Sequence, residues 1–198
     1  MKKQIVLIIC TIAILFSCKS VAQIQEPEPN GGPIIPLHEF MTYENQGIDF
    51  PANAYLKDEN NDLDKYVGIW TGSSAGKTYE IHITKDIVQM RDISMDRILL
   101  KYKITNSTGI VIANTLPFND QNSLITRGRY LSENKSFYSL LYFGFDSNCG
   151  QNGELFLRNL SLTQMSIILA PDIEVGYDCD QVAEQVFPFH ARMTLTKQ

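Results

Sequence analysis

Ile98-Leu99-Leu100-Lys101-Tyr102-Lys103-Ile104 decides what kind of protein this is. Ile98, Leu100, Tyr102 and Ile104 fall on one side of a two-residue repeat, and Leu99, Lys101 and Lys103 on the other. Period two marks a strand, whereas an amphipathic helix needs 3.6. The same period sets Tyr79, Ile81 and Ile83 against Glu80, His82 and Thr84. Working outward, Asn106-Ser107-Thr108-Gly109 reads as a turn into a strand over residues 110–113. Further strands are expected over 125–131, 136–145, 154–160, 165–170 and 190–196, the last with Ala191, Met193 and Leu195 on one face. Many short strands punctuated by turns make an all-β sandwich or barrel. One helical turn is expected before them: Asn60 or Asn61 caps Asp62-Leu63-Asp64-Lys65-Tyr66, the early acids suit the helix dipole, and Gly68 ends it.

Residues 136–145 add a second constraint. Phe137, Leu141, Phe143 and Phe145 share one face, and Tyr138, Leu140 and Tyr142 the other. A strand apolar on both sides needs cover on both, or it exposes a patch. An internal cavity lined by Tyr138 and Tyr142, a second packed sheet or a partner chain each meets that need.

The beginning of the chain speaks to location. Lys2 and Lys3 precede an apolar run over residues 5–16 that is interrupted by Thr11 alone. A basic start, about a dozen apolar residues and a small residue at the cut are the parts of a bacterial export signal. The run falls short of the roughly 20 residues a spanning helix requires. Leu15-Phe16-Ser17-Cys18 resembles a bacterial lipobox, which makes 1–17 the signal peptide and Cys18 the lipidated first residue. The rival cut follows Ser20-Val21-Ala22 and releases a free protein beginning at Gln23. Residues 18–33, with three prolines and two glycines in the stretch from Gln23, form a tether. Fully extended at about 3 Å per residue, it reaches on the order of 45 Å. The barrel domain then occupies 34–198.

The chain has 198 residues, and removing the leader leaves about 180, enough for one domain with a real core. Two of the 17 basic residues lie in the leader and all 22 acidic ones after it, so the formal charge from Cys18 onward is −7. An acidic product without a basic run argues against nucleic acid as a partner. The remaining cysteines, Cys149 and Cys179, read as a disulfide in an oxidising compartment. Closing a loop of about 30 residues contributes roughly 3–4 kcal/mol on the chain-entropy model.

The candidate chemistries each fail a requirement. Gly72-Ser73-Ser74-Ala75-Gly76-Lys77-Thr78 is one residue short of a phosphate loop and leads into a strand, so it reads as a hairpin turn. Asp58, Asn60, Asp62 and Asp64 open like a calcium loop, but Leu63 stands where glycine is required and Ile69 where a bidentate glutamate is required. His38, His82 and His190 are the three histidines; His82 shares a strand face with Glu80 and Thr84, but that face reads as solvated and no activated nucleophile stands out. Asp172 with Glu174, and Asp178 with Asp180, lie in a polar loop where both members stay ionised. No catalytic residue, metal site or cofactor is expected, and the reading is non-enzymatic.

Two resemblances remain. Gly68-Ile69-Trp70 after a short helix resembles the opening of lipocalin-type barrels, which implies a single antiparallel barrel of about 8–10 strands. It also implies an arginine of the final strand over the tryptophan, for which Arg192 is the candidate. More of the chain looks like an uncharacterised family of small flavobacterial exported proteins and lipoproteins. The stretches that carry this are Tyr55-Leu56-Lys57-Asp58, Leu63-Asp64-Lys65-Tyr66-Val67-Gly68-Ile69-Trp70, Gly76-Lys77-Thr78-Tyr79, Cys149-Gly150-Gln151-Asn152-Gly153 and Met193-Thr194-Leu195-Thr196-Lys197-Gln198. That resemblance implies one domain with two cysteines in similar places and brings no activity. The expectation is an exported outer-membrane lipoprotein, facing the periplasm or the cell surface, or secreted if cut after Ala22. It binds a small apolar ligand against Tyr138 and Tyr142, with Trp70 closing the barrel floor. The alternative is an interaction module of an envelope complex with no ligand cavity.

Overall fold

The structure, a computed structural model, describes residues 31–172, 176 and 179–198. Cys18, the cut after Ala22, Glu174 and Asp178 lie outside the described residues. In chain order the elements are β1 (Ile34–Pro36), a 3-10 turn (Leu37–Glu39), α1 (Phe40–Gln46), β2 (Tyr55–Lys57), β3 (Gly68–Ser74), β4 (Lys77–Met90), β5 (Ile93–Thr105) and β6 (Val111–Asn114). They continue with β7 (Thr126–Leu131), β8 (Tyr138–Phe143), a second 3-10 turn (Ser147–Cys149), β9 (Asn152–Asn159), β10 (Gln164–Asp172) and β11 (Met193–Lys197).

Eight strands close a ring in the order β3-β4-β5-β7-β8-β9-β10-β11, and β11 returns to β3. Each neighbouring pair in the ring is antiparallel. The period-two stretches supply it directly. In β5, Ile98, Leu100, Tyr102 and Ile104 are buried, as are Tyr79, Ile81 and Ile83 in β4. Closure depends on a short pairing, Leu99 with Arg127 and Leu100 with Thr126, that brings β7 onto β5. β6 pairs with β5 beyond that point, and β2 and β1 add in parallel to the other end of β5.

The expected helical turn at Asp62–Tyr66 is a correction. The segment makes only short turn bonds, Asp64 N–H to Asn61 O, Tyr66 N–H to Leu63 O and Val67 N–H to Asp64 O, and no helix is assigned there. The cap is Asp58 rather than Asn60 or Asn61: its carboxylate accepts from Asp62 N–H at 2.7 Å and Leu63 N–H at 3.0 Å. The helix stands earlier, in α1, where Phe40 stacks on Phe50 and Tyr130, and Gly47 ends it at φ 62°.

The barrel has two ends. At the near end the chain joins β3, and the β7–β8 and β9–β10 turns and the C-terminus lie there too. At the far end are the β3–β4 turn, the β8–β9 loop and the long connection from β10 to β11. Among the described residues no helix is long and apolar enough to cross a membrane.

Candidate functional site

The two faces of β8 meet different fates. Tyr138, Leu140 and Tyr142 point inward and are fully buried. On the outer face Leu141 is 40% exposed and Phe143 48%, and Phe145 just beyond the strand is 48% exposed. Phe145 meets Phe118 at 6.4 Å between ring centroids. Lys101 borders this group, donating to the Phe118 carbonyl and pairing with Asp120, both at 2.7 Å. A surface depression of about 450 Å³ opens beside the strand, lined by Arg129, Leu141, Phe143, Glu154, Ala170 and Pro171. Its floor requires Gly153, at φ 146°, because a Cβ there would lie 2.2 Å from the Ala170 carbonyl oxygen. Arg129 reaches Glu154 at 3.4 Å, and Ser139 also bonds that carboxylate, so a paired ion couple joins Asn152 and Asp172 beside the apolar Leu141, Phe143, Ala170 and Pro171.

The hairpin of β5 and β6 carries exposed apolar side chains of its own. A bulge opposite Ile104 and Thr105 breaks the alternation, so Val111 and Ile112 both face out next to exposed Ile110. Residues 104–119 contain no charged side chain. Sequence reading placed a strand here and missed the patch. The uncharged run was the available signal.

The interior is packed with rings. Trp70 is fully buried at the near end, and its indole N–H donates to the Tyr66 carbonyl at 2.8 Å. Tyr138 lies 5.9 Å from Tyr66. At the far end Tyr142 sits 5.1 Å from Phe187 and 6.3 Å from Tyr102. Burial pushes the phenols of Tyr66, Tyr138 and Tyr142 well above their ordinary value, and those of Tyr79 and Tyr102 up to about 12. The three residues expected to line or floor a pocket therefore all face inward, Tyr138 and Tyr142 against neighbouring rings and Trp70 against the Tyr66 carbonyl and Lys197.

The cation over Trp70 is Lys197, at 5.2 Å from the ring, and not Arg192. Arg192 is exposed and precedes β11, whereas Lys197 pairs directly with Trp70 and shares the inward face of Met193 and Leu195. Gly68, at φ 133°, leaves the passage: a Cβ there would stand 2.7 Å from Lys197 Cε.

Cys149 and Cys179 are bonded, with Cα atoms 5.5 Å apart. The bond ties the β8–β9 loop to residues 179–190, a strap across the far end. Ala183 N–H donates to Cys149 O at 2.7 Å, Gln151 Nε2 to Glu184 O at 2.8 Å and Leu169 N–H to Pro188 O at 2.8 Å. Lys77 pairs with Glu184 at 2.7 Å and holds that carboxyl below its usual range.

The remaining candidates are not brought together. His82 pairs with Glu80 at 2.8 Å on the outside of β4, His190 stacks on Phe189 at 3.9 Å, and His38 lies in the first 3-10 turn. Asp58 is occupied as a cap, with Lys85 3.7 Å away. Among the described residues no group of acids, histidines or cysteines could hold a metal ion. The phosphate-loop lookalike is the β3–β4 hairpin, with Ala75 and Gly76 both at positive φ as a two-residue turn demands.

A family of unknown function (DUF6705) has a model that matches residues 1–153, so the chain belongs to that family. No curated protein and no solved structure matches it.

Proposed function

We propose that this protein is a non-enzymatic interaction module of a flavobacterial cell envelope, anchored to the outer membrane through a lipid on Cys18, that docks another envelope protein on the outer wall of its barrel. The observation that carries this reading is β8: its inner face is packed solid, and its outer face presents Leu141 and Phe143, followed by Phe145 packed on Phe118 of an uncharged stretch. A monomer that needs no partner keeps such contiguous apolar surface small. The paired Arg129 and Glu154 at the edge of the patch offer a polar rim around an apolar centre, the usual anatomy of a protein interface. The closed ring, Gly68-Ile69-Trp70 opening β3 and a last-strand cation over Trp70 support a distant relation to lipocalin-type barrels.

The test is a photo-activated cross-linking side chain placed at Phe143 and, separately, at Ser73 on β3, four strands around the ring. In living cells a discrete adduct is expected from position 143 and none from 73, with the mature N-terminus carrying acyl mass on Cys18. Equal labelling at both positions, or none at either, overturns the docking reading. An unmodified N-terminus at Gln23 overturns the anchor.

A further inference from the structure

One buried ring at the far end does not come from the barrel wall. Phe187 belongs to the strap, yet it stands among Tyr79, Tyr102 and Tyr142, edge-on to Tyr102 at 5.0 Å and to Tyr142 at 5.1 Å, and 6.0 Å from Tyr79. The three tyrosines form a box of ring size, and Phe187 fills its volume.

Phe187 does not satisfy its chemistry. The hydroxyls of Tyr102 and Tyr142 are both buried, and neither makes a hydrogen bond of good geometry. They approach each other closely enough to interact. Two hydroxyls paired together still place only one proton, so one O–H is left without an acceptor. A phenyl ring has no lone pair to offer it. The wall is cut back beside this pair: a Cβ on Gly144 would lie 2.2 Å from the Gln151 amide oxygen and 2.5 Å from the Tyr142 hydroxyl oxygen. Tyr79 differs, because its hydroxyl donates to the Val186 carbonyl at 2.8 Å and so holds the strap next to Phe187.

We propose that the far end of the barrel is a binding site for an apolar ring carrying one hydrogen-bond acceptor, and that Phe187 is its resting occupant. This goes beyond the outer-wall interface and stands or falls apart from it. The incoming ring replaces the edge-on contacts of Phe187, and its carbonyl or ether oxygen takes the unplaced tyrosine proton. Cys149–Cys179 keeps the displaced strap tethered beside the β8–β9 loop, so exchange requires only a local opening.

The test uses the full chain with acetophenone and ethylbenzene, single-ring probes that differ by one heavy atom and of which only the first has an acceptor. A ligand that must displace an internal occupant binds more weakly by the open fraction. Phe187→Ala is therefore expected to bind acetophenone at least about tenfold more tightly than the unaltered protein. One neutral hydrogen bond corresponds to about a tenfold preference for acetophenone over ethylbenzene. Adding Tyr142→Phe is expected to shrink that preference below about threefold. A folded Phe187→Ala protein that binds neither probe, or binds both equally, overturns the proposal. If Phe187→Ala does not fold, Phe187→Leu and the unaltered protein at saturating acetophenone decide it by NMR. Contacts between acetophenone and the Tyr102 and Tyr142 rings are expected to replace those of residue 187, and their absence overturns it.

Discussion

The two ends of this barrel are closed by different physics. At the near end the closing residues are neighbours in sequence: Asp58 caps the turns, Leu63 and Tyr66 follow, and Trp70 bonds back to Tyr66 four residues earlier. At the far end the closing ring, Phe187, arrives from a connection more than forty residues beyond its partner Tyr142, and a disulfide holds the segment that carries it. Local closure makes a fixed floor. Remote closure makes a cover pinned to the wall by Lys77, Tyr79 and Leu169, and it lies over an unsatisfied tyrosine pair just as the near end holds Tyr66 and Tyr138.

The largest expected effect removes this difference altogether. Tyr66 and Tyr138 line the near end, and Tyr79, Tyr102 and Tyr142 the far end, all with phenol pKa values raised by burial. Unfolded tyrosine ionises near pH 10. Above that pH the unfolded chain releases protons that the native state retains, so stability is intact below pH 10 and falls as pH rises towards 12 and beyond. Each fully buried tyrosine contributes about 1.4 kcal/mol per pH unit. An alkaline titration is expected to show one transition in which tyrosinate absorbance rises as strand dichroism is lost. If the five ionise near pH 10 with the fold intact, neither end is packed as described.

Substitutions then separate the ends. Trp70→Ala removes the larger ring and its indole hydrogen bond and is expected to cost about 4–5 kcal/mol, against about 3 for Phe187→Ala. Replacing Cys149 and Cys179 by serine is expected to cost about 3 kcal/mol. The comparison sharpens in combination. The serine pair and Phe187→Ala act on one strap and should fall short of additivity by more than about 1 kcal/mol, whereas the serine pair and Trp70→Ala should add within about 0.5 kcal/mol. Denaturant melts of these five proteins measure it. Full additivity at the far end means that the strap is held independently of its disulfide.

This asymmetry also explains what could be read in advance. The strands of β4 and β5 show in the sequence because each alternates, β8 because it is a short run apolar on both faces, and Trp70 because it sits in a three-residue motif beside its own partners. Phe187 does not: Val186-Phe187-Pro188-Phe189 has no period, and nothing local says which of its two phenylalanines goes inward. The closure of β7 onto β5 rests on two residue pairs with no sequence mark. α1 was missed because seven residues carry little helical signal, and its stability comes from Phe40 and Tyr43 stacking on Phe50, a tertiary contact. The outer patch was half visible, since a strand apolar on both sides was evident, but which side stays open depends on the barrel's curvature. The final-strand cation is a different case: the lipocalin resemblance points to Arg192, but the alternation of Met193 and Leu195 turns Lys197 inward, and register sets it opposite Trp70.

Lys197 supplies the smallest effect and the finest test of the near end. Its ammonium lies 5.2 Å from the Trp70 ring centroid and its stem passes over Gly68. A partly exposed cation over an indole is worth about 0.5–1 kcal/mol. Lys197→Met keeps the apolar stem and removes the charge, so it is expected to cost no more than that. Trp70 is the single tryptophan of the chain, and its emission therefore reports the near end alone. A shift in that emission with the melting midpoint nearly unchanged fits a near end held by Tyr66, Leu63 and the Asp58 cap, with the lysine as a lid. Loss of several kcal/mol would instead make Lys197 the element that closes the floor, and the near end would depend on a remote residue just as the far end does.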